Sequence, residues 1–377
     1  MQSLDTCSIA SFTARLLKLR SHFAQHSSYW ILLSAAILYV LPEMAHAHVK
    51  WFVQFDLLCP PRSPWRVLSS NPFITMAGLV VPLMYGVSWT DQRLSNTAVW
   101  QSIGWGPLVA RLEWLSAQIA RMAPSFVRVA VGIFFFVLFC YGEFLITPEL
   151  KTNAPWVRWL QLTMALLLIA SPRTAWLGAL GVPVLYGAGV AKYGLFHMLD
   201  YPIFLGVAVY IVLWSVYGTR KAQLADAILR SFTAVTLLWA GIEKWAYPEW
   251  SFALLQQRPE LTFGFSPEFY MIAAGFVEFC AAYLLIAGRF ASRAAAVLLL
   301  AFFISAIIPF GMIDAVGHSG IIAVLLVLAL GQDNIAAHIV DLNKPRTTAL
   351  MHTAIFVSVL ALLGAAYYGL HRVSFGY

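Results

Sequence analysis

Residues 294–311 read AAAVLLLAFFISAIIPFG, a run without a single charged side chain. A bilayer core about 30 Å thick is crossed by roughly 20 apolar residues in a helix, so this stretch has the length of a membrane span. Over the whole chain, 60% of the 377 residues are apolar and only 11% are charged. A soluble domain does not need that much apolar surface, and the composition therefore predicts an integral membrane protein surrounded by the lipid bilayer.

Comparable apolar runs predict an all-α polytopic fold with about eleven spans. They lie near residues 72–89, 125–146, 157–171, 175–192, 203–218, 231–247, 269–288, 294–311, 319–332 and 348–370, with a shorter run at 30–42. Most of the 24 Lys and Arg residues fall in loops on the side of the N-terminus. By the positive-inside rule that side is cytoplasmic, and the C-terminus is then on the outer side.

The first 47 residues form a basic leader with a short apolar core, which is typical of a signal peptide. The sequence Ala45-His46-Ala47 has the small-x-small form of a cleavage site. Cleavage would make His48 the N-terminal residue, whose amine and imidazole could together chelate a transition metal. Without cleavage the leader is a signal anchor, and His46 and His48 lie in an ordinary loop.

Residues 48–124 are predicted to hold an outer His/aromatic segment, one span and a cytoplasmic interfacial helix over 90–124. His46 and His48 are two positions apart, so in an extended strand both point the same way and could share a metal. Imidazole suits copper, zinc or iron. Trp51, close by, is a candidate for cofactor contact, although the aromatics of this segment also fit an interfacial anchor.

An internal repeat organises the rest of the chain. GEFLITPE at 142–149 aligns with IEKWAYPE at 242–249, and FHMLD at 196–200 resembles FGMID at 310–314. The alignment predicts two tandem four-helix units, 125–218 and 229–332, followed by a C-terminal span in 348–377. Because both units would begin and end on the same side, they would be parallel repeats.

Four ionisable residues of the second unit form the main candidate site. Glu243 ends one helix, Glu278 lies within the next, and Asp314 and His318 are four residues apart, which places them on one helix face. Two Glu, an Asp and a His have the composition of an iron, manganese or zinc site, and carboxylate with imidazole also suits a proton relay to a quinone. Lys244 could contact a cofactor, or it could neutralise a Glu as a structural ion pair.

The first unit keeps part of this set. Glu143, His197 and Asp200 are candidate metal ligands, but Gln161 stands where Glu278 would be. The loss of one carboxylate predicts a scaffold or a weaker site. We assign no chemical role to the remaining histidines, His22, His26, His338, His352 and His371.

A resemblance to a known family rests on the second unit. The stretches Ala240–Trp245 with Tyr247-Pro248, Phe276–Glu278 with Leu284–Arg289, and Asp314–His318 with Gly320 are similar to the helix ends and turns of DoxX-like membrane proteins. The first unit resembles them only weakly. The resemblance implies a four-helix fold for each unit, a bacterial inner-membrane location and an association with respiratory or sulfur-linked electron transfer.

These observations leave two main functions open. One is a redox-associated membrane protein, an oxidoreductase or its membrane subunit, with a site at the periplasmic face, a metal or quinone, and a membrane or periplasmic redox partner. The other is a transporter or channel for a small solute or metal ion, with an acidic path between the repeats. The four Cys form no CxxC pair, and no basic block or stacking module indicates nucleic-acid binding.

Overall fold

The computed structural model describes residues 59–94, 105–331, 340, 342 and 344–376, and this part of the chain is helical apart from its turns and loops. An isolated antiparallel bridge joins Phe144 to Lys151. The leader, the outer segment with His46, His48 and Trp51, and residues 95–104 of the expected interfacial helix lie outside the described residues. The expectations for them remain predictions.

The helices are numbered in chain order within the described residues. They are α1 Pro64–Leu68, α2 Asn71–Leu94, α3 Gly106–Tyr141, α4 Pro155–Ala170, α5 Ala175–Ala179, α6 Gly181–Tyr193, α7 Leu195–Met198, α8 Pro202–Tyr217, α9 Ala222–Ala246, α10 Glu249–Gln257, α11 Pro267–Ala287, α12 Phe290–Phe310, α13 Met312–Leu330 and α14 Pro345–Phe375. Short 3₁₀ turns occupy Gly218–Lys221 and Pro259–Thr262.

Proline and glycine define where many of these helices begin and end. Pro155, Pro202, Pro267 and Pro345 each occupy the first turn of their helix, where a missing N–H costs nothing. Gly142 ends α3 with φ of 76°, a left-handed conformation that favours glycine. These local signals explain why breaks between the apolar runs are visible in the sequence.

Eight helical stretches of the described residues are long and apolar enough to cross a membrane. One of them, Pro202–Ala246, contains both α8 and α9 with the 3₁₀ turn between them. The 16-residue α4 is apolar but shorter than a full span. The protein is therefore an integral membrane protein with many apolar helices, while the expected count of about eleven spans is not confirmed.

The helices pack as two neighbouring groups. The first group is α3 to α8 and the second is α9 to α13. The groups meet where α8 packs on α9 and where α13 packs on α3, and α14 packs against α2. Their relation as tandem repeats remains a prediction.

Two glycines bring α9 and α11 close together. A Cβ added at Gly275 would lie 2.7 Å from the Gly241 carbonyl oxygen and 2.4 Å from the Trp245 Nε1. Small residues at such a contact allow helix backbones to approach closely in a membrane. The contact fixes the register of α9 on α11 and so positions the side chains one turn further along each helix.

Helix α3 contains both the end of the predicted interfacial segment and the span that follows it. It runs for 36 residues with Pro124 in its interior. Within the described residues, the polar-aromatic part is thus the first half of a long helix and not a separate element. Pro124 cannot donate a backbone hydrogen bond to the preceding turn, which weakens the helix at that point.

Candidate functional site

Asp314 and His318 form a buried pair in the first two turns of α13. His318 Nδ1 is 3.0 Å from Asp314 Oδ2, and the two side chains are 2% and 0% exposed, respectively. The four-residue spacing predicted a shared helix face, and the structure places both side chains there. A carboxylate on Nδ1 holds the imidazole in one tautomer, so Nε2 is the nitrogen that can take up or release a proton.

A small cavity lies between the two helix groups beside His318. His318 lines it from the second group, while Thr147, Asp200 and Tyr201 line it from the first. Its volume is about 40 Å³, which is room for about three water molecules at roughly 10–15 Å³ each. Apolar side chains, including Phe303 with its ring 4.8 Å from the His318 ring, form much of the rest of the wall.

The first group holds its own buried histidine–carboxylate pair. His197 Nε2 lies 2.7 Å from Glu149 Oε1, with exposures of 1% and 2%. The Tyr201 hydroxyl donates to the other oxygen of Glu149. Asp200 is also buried, next to Tyr201 in sequence. Glu149 thus contacts His197 as an ion pair and accepts a hydrogen bond from Tyr201, and Tyr201 is the member of this buried cluster that lines the cavity.

Tyr201 stays protonated in this cluster. Burial first, and then the negative charges of Glu149 and Asp200, raise the pKa of Tyr201 well above its ordinary value of 10.0. An anionic phenolate would be desolvated beside two carboxylates, whereas the neutral hydroxyl can donate to Glu149. Tyr201 therefore acts as a hydrogen-bond donor at neutral pH.

The two predicted glutamates of the second group are placed differently. Glu278 Oε2 is 2.5 Å from Lys244 Nζ, so the structural ion pair considered for Lys244 is present. Glu243 is half-buried and lies within electrostatic reach of the Tyr367 hydroxyl on α14. Glu278 and Glu243 do not line the cavity beside His318. The structure thus joins Asp314 with His318 and Glu278 with Lys244, as two separate pairs.

The first-group candidates are also separated. His197 and Asp200 are buried near the cavity, but Glu143 is exposed on the surface. A second buried acid in this region is Glu149, which the alignment marked as a repeat position without a role. Gln161 is fully buried and donates through Nε2 to the carbonyls of Phe144 and Leu145, at 2.7 and 3.0 Å. Gln161 therefore fixes the loop that carries Glu149.

Among the described residues, no group of three or more His, Cys, Asp and Glu side chains is arranged to hold a metal ion. Asp314 with His318, and Glu149 with His197, each offer one carboxylate and one imidazole. Metal centres of the carboxylate–histidine type in helical bundles draw on more ligands than that. The described part of the chain thus gives the predicted metal site no support.

His371, for which the sequence predicted no role, is buried near the C-terminal end of α14. Its Nε2 lies 2.7 Å from the Tyr247 hydroxyl, and that hydroxyl donates to the Cys59 carbonyl at 3.1 Å. His371 also packs against Phe196 of the first group, with ring centroids 5.2 Å apart. The signal that could have found it is its position four residues after Tyr367, on the same helix face.

Comparison with protein families matched the DoxX family to residues 225–312. The resemblance drawn from Ala240–Trp245 and Leu284–Arg289 is confirmed for this segment, which covers most of the second helix group. The first group, the cavity-lining His318 and α14 lie outside the matched residues. Comparisons with curated proteins and with solved structures gave no match.

Proposed function

We propose that this chain, whose second helix group matches the DoxX family, is a redox-associated integral membrane protein. In this proposal the Asp314–His318 pair exchanges protons with a quinone-class carrier on the outer side of the bilayer. The observation that supports it is the cavity to which Asp200 of the first group and His318 of the second both contribute. Proton-accepting groups in a membrane interior are costly, and they mark functional sites by default.

The proposed chemistry is proton transfer coupled to quinol oxidation. Each of the two quinol O–H bonds breaks, two protons leave through the protein, and two electrons pass to a separate redox partner protein. His318 Nε2 accepts one proton at a time, and the Asp314 carboxylate stabilises the imidazolium that forms. Water in the cavity carries the proton towards Asp200. The reverse direction reduces a quinone with the same groups.

The size of the cavity determines which species can enter it. The cavity has room for about three waters and is too small for a quinone ring. The ring would bind at the surface of the bundle, and only protons would pass inward. A metal centre built from the described residues is not part of the proposal, because no third ligand accompanies either pair.

The experiment measures quinone and protons separately. In the first assay, protein purified in detergent is extracted with organic solvent, and the bound quinone is counted. In the second, quinol is added to liposomes that hold the protein and its redox partner, and proton release is followed with a pH dye. We expect stoichiometric quinone and quinol-dependent proton release. His318→Gln and Asp314→Asn should slow proton release by about 10²–10⁴-fold, the usual contribution of a general acid–base.

His352→Gln is the matched control. His352 is also a buried histidine, 4% exposed, but it lies near the start of α14 and does not line the cavity. It should behave like wild type in both assays. Wild-type protein that retains no quinone and releases no protons on quinol addition would refute the proposal.

A transporter is the second candidate, and the same cavity is the observation that favours it. A path between the two groups requires polar side chains from both, and Asp200 and His318 meet that requirement. Liposomes loaded with candidate ions and solutes distinguish the two functions. Flux that needs His318 but no quinol would establish transport, whereas proton release that needs quinol supports the redox function.

A further inference from the structure

A second cavity, of about 230 Å³, lies at the end of the bundle where α4 terminates, between α3, the α4–α5 turn and α8. It is much larger than the roughly 10–15 Å³ that one water requires. Two arginines, two serines and a tryptophan line it, and its described wall contains no acidic side chain. These five residues are Arg121, Arg128, Ser125, Ser215 and Trp214.

Arg128 is held in place by the end of α4. Its Nη1 donates to the Leu168 carbonyl and, at 2.9 Å, to the Ile169 carbonyl. These carbonyls belong to the last turn of α4, where no helical N–H is available to them, and they carry the negative end of the helix dipole. Both hydrogens of Nη1 are thereby used, which leaves the Nε edge of the guanidinium for another acceptor.

That edge has no acceptor within the described part of the chain. Arg128 Nε is buried and makes no hydrogen bond there. A buried donor left unsatisfied costs free energy, and an uncompensated one in a native structure calls for a missing water or ligand. The Nε edge of a guanidinium is one of the two-donor faces that bind phosphate or carboxylate oxygens in pairs.

The face of α3 that carries Arg128 offers further donors. Arg121, Ser125 and Arg128 are spaced by four and three residues, so they lie on one side of the helix. Among the described residues, neither Arg121 nor Arg128 is paired with a carboxylate. The cavity is therefore a positively charged recess with donor groups and no internal counter-ion.

We propose that this cavity binds a phosphate group, carried by an anionic lipid or by a free phosphate compound. Basic pockets between spanning helices bind anionic headgroups, and this cavity lies between apolar helices at the end of α4. The Arg128 Nε edge takes two phosphate oxygens, while Arg121 and the hydroxyls of Ser125 and Ser215 take the others. This site is independent of the proton chemistry proposed above, since it shares no residue with the first cavity.

The test is binding by purified protein of phosphatidylglycerol, phosphatidylcholine and inorganic phosphate, each supplied separately. Native mass spectrometry counts bound lipids, and thermal unfolding in detergent reports stabilisation. We expect saturable stabilisation by phosphatidylglycerol and much weaker stabilisation by phosphatidylcholine, which has the same phosphate but a choline cation that the two arginines repel. Arg121→Gln and Arg128→Gln should each weaken that binding about tenfold, as expected for the loss of a charge-assisted hydrogen bond.

Arg158→Gln is the matched control. Arg158 also donates to the carbonyl of a neighbouring helix, Phe139 at 3.1 Å, but its contacts are at the opposite end of α4. If Arg128→Gln does not fold, Arg128→Lys keeps the charge while losing the two-donor edge, and Arg121→Gln changes a residue that is exposed. Stabilisation by inorganic phosphate that needs both arginines would assign the site to a free phosphate compound. Equal phosphatidylglycerol affinity in Arg121→Gln, Arg128→Lys and Arg158→Gln would overturn the proposal.

Discussion

The Lys244–Glu278 ion pair decides whether Glu278 is a structural or a chemical residue. Nζ and Oε2 are 2.5 Å apart, with side-chain exposures of 20% and 14%. Removing one member of a buried ion pair costs about 3–5 kcal/mol, because the other charge remains desolvated and alone. Some solvent still reaches both groups, which places the expected loss at the lower end, about 3 kcal/mol.

A double-mutant cycle measures this coupling. Lys244→Met and Glu278→Leu should each destabilise the protein by about 3 kcal/mol. The double variant should return to within about 1 kcal/mol of wild type, because apolar residues can replace a buried ion pair at little cost. Unfolding in mixed micelles of rising SDS content, followed by circular dichroism, gives the free energies. Arg258 and Glu260, 3.7 Å apart and both 49% exposed, provide a control pair, and Arg258→Gln should change stability by about 0–1 kcal/mol.

The result that would refute this reasoning is additivity. If the double variant loses the sum of the two single losses, about 6 kcal/mol, the two charges do not depend on each other. Glu278 would then be available for proton chemistry. If the double variant is stable and still releases protons with quinol, Glu278 is structural.

Three other substitutions test packing, capping and ionisation in the same unfolding assay. Asp91 accepts hydrogen bonds from the backbone N–H groups of Arg289 and Ala291, both at 2.7 Å, at the start of α12. Asp91→Ala should lower the free energy of unfolding by about 2 kcal/mol, and Asp91→Asn should lower it by less. An equal loss in both variants would contradict a capping role. Gly275→Ala should cost about 1–3 kcal/mol by separating α9 from α11, whereas Gly187→Ala, with open space around it, should not. The pKa of Tyr201 is raised above 10.0 in the folded state, so the tyrosine of the unfolded chain ionises first. The free energy of unfolding should therefore fall as the pH rises through about 10. In Tyr201→Phe the free energy of unfolding should fall less steeply over the same pH range.

The sequence revealed those parts of the site that depend on local spacing. Asp314 and His318 are four residues apart on one helix, and helical periodicity alone brings such side chains together. Lys244 and Glu278 could be suggested as a pair because each lies on a helix of the same predicted unit. The helix ends were visible because proline and glycine act locally.

Partners brought together by the path of a loop were not predictable. Glu149 lies 48 residues before His197, and its place depends on the turn after α3 folding back over α4. The alignment marked both Glu143 and Glu149, but only the folded loop shows that Glu149 turns inward and Glu143 outward. Asp91 likewise has no local signal in the sequence, because its partner Arg289 is 198 residues away.

The last helix has a consequence for how this protein can be dissected. Tyr367 of α14 is fully buried, with its ring 5.0 Å from Phe196 and 4.7 Å from Trp239. Residues 225–312 cut out on their own would expose the Trp239 face and lose the aromatic wall that α14 supplies. The DoxX segment of this chain is therefore not a portable module, and a version expressed alone should aggregate or recruit a substitute helix.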